Sequence, residues 1–112
     1  MQKYTDPYEA MTVANSILVK RGLCPHEGEW TREIISYDCN RVYEGGVHYE
    51  VSIHLTAAGF NAVKEQLGPV DYTISSWRVA MDPYVRIKIT LESVLHLLVL
   101  VLEEECDAIV AL

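Results

Sequence analysis

Val47-His48-Tyr49-Glu50-Val51-Ser52-Ile53-His54-Leu55 alternates apolar and polar side chains without a break over nine residues. Only a strand, with its two-residue repeat, sends Val47, Tyr49, Val51, Ile53 and Leu55 one way and His48, Glu50, Ser52 and His54 the other. This stretch is therefore a strand with one face on a core. Gly45-Gly46 precede it and take positive φ at no cost, so they offer a two-residue hairpin turn. The extended pattern upstream, from Trp30 to Glu44, supplies the hairpin partner, with an expected bulge at Asp38-Cys39-Asn40. Downstream, Thr56 is placed to cap a helix with Phe60, Val63 and Leu67 on its inner face, ended by Gly68-Pro69.

The rest of the chain reads outward from that hairpin. Asp6-Pro7-Tyr8-Glu9 is a helix start: a capping carboxylate, a proline at the first position and a capping-box glutamate. Tyr8, Met11, Ala14, Ile17 and Leu18 form its apolar stripe, and Gly22 is its stop. Asp71 to Met81 is extended, with a bulge expected at Ser75-Ser76. Asp82-Pro83 turns the chain into Val85-Arg86-Ile87-Lys88-Ile89. Thr90 then caps a last helix to about Ile109, more apolar than one sheet contact requires, with Val99 and Leu100 on its otherwise polar side. The expectation is one α+β domain spanning 1–112, in the order α-β-β-α-β-β-α. It has a four-stranded antiparallel sheet with helices packed on one face.

Composition limits function. Half of the 112 residues are hydrophobic, enough for one core without a metal or disulfide staple. A formal net charge of −7 argues against a surface built to neutralise phosphates. The acidity is concentrated in Glu103, Glu104, Glu105 and Asp107, whereas Arg78, Arg86 and Lys88 make the last hairpin mildly basic. Cys24, Cys39 and Cys106 are odd in number and widely spaced, and no leader opens the chain. The expected setting is reducing and cytoplasmic. The run Leu97–Leu102 is far too short to span a bilayer.

No phosphate loop, nucleophile elbow or paired metal motif is present, so no catalytic residue, cofactor or metal is assigned. With Gly45-Gly46 as a two-residue turn, His48 lies opposite Tyr43, Glu50 opposite Arg41, Ser52 opposite Cys39 and His54 opposite Tyr37. These eight form a polar patch, with one Arg41–Glu50 pair. His48 and His54 are about 20 Å apart along the strand and cannot share one ion. His96 reads as a surface partner of Glu92 on the last helix. Tyr84, Arg86 and Lys88 belong to the outer side of the fourth strand. Trp30, Trp77 and Tyr84 are aromatic contact candidates, and Val99 and Leu100 interface candidates.

The expected function is thus a non-enzymatic protein-interaction module, an inhibitor or adaptor, that forms a homodimer. Its size and lack of motifs also suit a phage-encoded inhibitor. One alternative is nucleotide or oligonucleotide binding on the open sheet face. Another is a small hydrolase or metal site using His48 and His54.

Overall fold

The computed structural model describes residues 3–24, 27–67, 72–79 and 82–102; for 72–79 and 82–84 the description is of the backbone. The elements are α1 (Pro7–Lys20), a 3-10 turn (Glu29–Glu33), β1 (Ile34–Val42), β2 (His48–Thr56), α2 (Ala57–Leu67), β3 (Tyr72–Val79), β4 (Asp82–Leu91) and β5 (Leu95–Leu102). The five strands form one sheet in the order β1-β2-β5-β4-β3. The fold is α+β as expected, but the sheet is mixed: β2 and β5 run parallel, and the other three pairings are antiparallel.

Helix α1 begins and ends as its sequence dictates, and α2 begins so; its expected stop at Gly68-Pro69 lies outside the described residues. Asp6 accepts the Tyr8 N–H at 2.9 Å, and Pro7 occupies the first helical position. At the other end Gly22 sits at φ +77°, which lets Gly22 N–H reach Val19 O and Leu23 N–H reach Leu18 O. That is the Schellman closure. Helix α1 buries Ala10, Ala14, Ile17 and Leu18; Tyr8, assigned to the stripe by spacing, is 83% exposed. Thr56 caps α2 by accepting the Gly59 N–H at 3.1 Å, and its own hydroxyl donates to Glu33 at 2.8 Å. Phe60, Val63 and Leu67 are buried as the spacing predicts.

The last expected helix is where the structure departs most. Residues 95–102 are a strand, and 103–109 lie outside the described residues. A helix left Val99 and Leu100 on its polar side; a strand removes that conflict. Leu95, Leu97, Val99 and Val101 all turn to the core, in register with Val51, Ile53 and Leu55 of β2 and with Leu91, Ile89, Ile87 and Val85 of β4. A strand between two neighbours is apolar on both faces, which is why its eight residues mimic a buried helix. Val99 is fully buried, so it cannot serve as an interface residue.

Three smaller corrections concern backbone. Trp30 starts no strand: it lies in the 3-10 turn, 5% exposed, and so anchors no outside partner. β3 and β4 pair without a slip from Tyr72↔Ile89 to Val79↔Asp82, so Ser75-Ser76 is no bulge and Asp82-Pro83 already belong to β4. Between β1 and β2 the irregularity falls at Ile34/Ser36 instead of Asp38–Asn40.

Where Thr90 was expected to cap a helix, the chain turns from β4 into β5. Glu92 and Ser93 take φ +52° and +61°. A side chain in this left-handed region costs roughly 1–2 kcal/mol. Ser93→Gly should therefore stabilise the chain by about 0.5–1 kcal/mol once the entropy of glycine is deducted. Thermal unfolding checks this; an unchanged or lower midpoint would refute the strain.

The core lies between the sheet and the two α-helices, whose buried residues join the odd-numbered residues of β2, β4 and β5 in one cluster. No described helix is long and apolar enough to cross a membrane. The buried α-helix residues thus pack with the odd-numbered face; the even-numbered face carries Ser36, Asp38 and Asn40 of β1, His48 to Thr56 of β2, His96 to Leu102 of β5 and Arg86 to Thr90 of β4.

Candidate functional site on the polar sheet face

The polar face of β2 is the one the alternation marks, but its neighbours differ from those expected. The β1–β2 connection is five residues, 43–47, with Gly45 and Gly46 both at positive φ. Against a two-residue turn this moves the pairing by one. His48 lies opposite Val42, Glu50 opposite Asn40, Ser52 opposite Asp38 and His54 opposite Ser36. A shift of one residue sends every β1 side chain to the other face. Tyr37 and Arg41 therefore stand on the helix side, away from His48, Glu50 and His54. The Tyr37 hydroxyl donates to Asn15 of α1 at 2.6 Å, and its burial, with Cys39 alongside, pushes its pKa up. Arg41 lies over the Tyr43 ring, 5.4 Å from its centre, and the expected Arg41–Glu50 pair is not formed.

Glu50 is instead held between two imidazoles. Its Oε2 is 2.8 Å from His48 Nε2 and its Oε1 is 2.7 Å from His96 Nε2. His48 Nδ1 is 2.9 Å from Gly46 O, and His96 Nδ1 is 3.1 Å from the Thr90 hydroxyl. Both histidines are buried, and Asn40 adds a bond to the buried Ser52 hydroxyl at 3.0 Å. The chain of contacts thus runs from the β1–β2 loop through β2 and β5 to β4.

Protons can be counted along it. Gly46 O and the Glu50 carboxylate only accept, so both His48 ring nitrogens must donate, and the ring is an imidazolium. His96 must donate from Nε2, while its Nδ1 meets a Thr90 hydroxyl that can donate or accept. The Gly46 carbonyl first, then Glu50, raise the His48 pKa above 6.5, against a smaller opposing effect of burial. For Glu50, burial pushes upward, but the two imidazole donors outweigh it and the carboxyl pKa is lowered below 4.5.

His96 was the residue that sequence reasoning misplaced. Its signal appears only once Leu95–Leu102 is read as a strand beside β2, which puts His96 next to Ser52 and diagonal to Glu50. His54 stays apart, between Ser36 and Leu98. Among the described residues no group of three histidine, cysteine or acidic side chains is placed to hold a metal ion. Here the carboxylate lies between the rings and takes up both facing nitrogens. A small hollow of about 80 Å³ adjoins the bridge, lined by Lys3, Tyr4, His48, Glu50 and Ser93 among others. Cys24 and Cys39 are free thiols.

Beyond the bridge the same face turns apolar. Leu98, Leu100 and Leu102 follow His96 along β5, each partly exposed, flanked by Lys88 and Arg86 of β4 and by His54 and Thr56 of β2. Trp77 and Tyr84 are backbone partners at that end, and their side chains lie outside the described ones. Set against known protein families, curated proteins and solved structures, the chain matches none.

Proposed function

We propose that this chain is a small protein-interaction module, an inhibitor or adaptor in type, that docks through the sheet face opposite the described α-helices and pairs there with a second copy of itself. The observation that carries this is the row Leu98, Leu100 and Leu102. It leaves apolar area on the central strand of a face without a described helix. Single exposed leucines need no explanation, but a continuous apolar row marks a contact surface.

A second copy is favoured by charge. Asp38 lies towards the β1 side of the face and Lys88 on β4. A copy turned over about an axis along the strands brings the acidic side of one over the basic side of the other. Five strands at about 4.8 Å and six residues at about 3.3 Å give a footprint of roughly 500 Å². That is below the roughly 800 Å² per partner of standard complexes, so the association is weak and concentration-dependent.

Leu100→Glu should leave the chain folded and reduce the native mass from dimer to monomer. A wild-type chain that stays monomeric at high concentration would overturn the reading. Oligonucleotide binding is the weaker reading of the same face. Arg86 and Lys88 lie on it, but Tyr37 and Arg41 stand on the opposite one, and the net charge of −7 opposes it.

A further inference from the structure

We propose that His48, Glu50 and His96 form a proton-dependent clasp that fastens the β1–β2 loop to the sheet and lets it go as pH rises. Donors and acceptors set its state. His48 faces a carbonyl at Nδ1 and a carboxylate at Nε2, both within 2.9 Å, and an imidazole with one proton can serve only one of them. The bond to the charged carboxylate is the stronger, so the remaining proton stays on Nε2. Nδ1 then presents a lone pair to Gly46 O, and that contact breaks.

Release of the Gly46 carbonyl reaches beyond the loop. Lys3 donates to Gly45 O, and Tyr4 O accepts the Tyr49 N–H at 2.7 Å. The loop and the amino-terminal segment are therefore joined, and release of one loosens the other. The charged and titratable groups around His48 are Glu50 on its own strand, His96 from β5, and Lys3 and Tyr4 from the amino-terminal segment; β1 presents Val42. Lys3 opposes the imidazolium, while Glu50 and the carbonyl favour it.

Two opposite shifts bound the pH window. His48 is raised, so its contribution is complete below 6.5 and is lost as pH climbs through the higher folded value. Glu50 is lowered, so its contribution is complete above 4.5 and is lost as pH falls through its lower folded value. The clasp is fully closed between these limits and opens on the alkaline side through His48.

Long-range proton–nitrogen NMR of the histidine rings in the whole chain tests this. At pH 6 the His48 ring should carry protons on both nitrogens. Raising the pH should titrate His48 with a midpoint above 6.5. The Tyr49 amide, bonded to Tyr4 O, should lose exchange protection over the same interval. Glu50→Gln should bring the midpoint down towards the ordinary value; if that variant does not fold, the wild-type titration alone decides. A His48 ring that is neutral at pH 6, or Tyr49 amide protection indifferent to its titration, would overturn the proposal.

Discussion

Val99→Asp should unfold the chain, whereas Leu100→Glu, one residue further on, should leave it folded. Val99 is fully buried between Leu55 of β2 and Ile87 of β4. A carboxylate there meets only apolar neighbours from its own face. Burying even an uncharged polar group without a partner costs about 2–7 kcal/mol, and an unpaired charge more. Total stability for a domain of this size is about 5–15 kcal/mol. Leu100 points to the opposite face, where a carboxylate reaches solvent and lies beside Arg86. Circular dichroism with urea unfolding distinguishes the two variants. If residues 95–102 were instead the helix their composition suggests, both positions would fall near its polar side and both variants would fold. Two folded proteins would therefore refute the central strand.

Phe60→Ala should have an effect nearly as large. Among the described residues Phe60 is the largest of the fully buried side chains, on the face of α2 that meets the sheet. Its neighbours have little room to collapse into the gap: at Gly59 an added methyl would lie 2.8 Å from Glu33 Cβ and 3.3 Å from a Leu55 methyl. Removing a buried phenyl costs about 3–5 kcal/mol. For a chain of this length that lowers the melting temperature by roughly 15 °C or more. A shift of only a few degrees would mean that α2 is loosely seated and that Phe60 is no keystone of the core.

Val99 and Leu100 also mark the limit of what the sequence could reveal. Local signals were readable. Asp6, Pro7 and Gly22 bound α1, Thr56 opens α2, and β2 announces itself by alternation. Each rests on interactions within a few residues. What could not be read depends on partners distant in the chain. The apolar stretch after Leu95 is satisfied equally by a helix or by a strand with neighbours on both sides, and only tertiary pairing decides. The site inherits that ambiguity. Glu50 and His48 were recognised together because they share a strand, but His96 comes from β5. The register of β1 was lost for a related reason. A pair of glycines marks a turn but not its length, and three further residues in the connection moved Tyr37 and Arg41 off the face.

The position of β5 also has a consequence for how the molecule is made. It is the last described strand of the sheet in chain order and the middle one in space. Until it leaves the ribosome, β1–β2 and β3–β4 are two separate hairpins. The inner rims of β2 and β4 then expose unpaired amides and carbonyls, next to apolar side chains meant for burial. Rims of this kind invite pairing with other chains. Closing the sheet joins residues more than forty positions apart, which slows folding relative to local structure. The nascent chain thus has a vulnerable interval that ends only when Leu95–Leu102 slots between the two halves. Substitutions that weaken β5 should reduce yield through aggregation during synthesis, over and above any loss of stability in the finished protein.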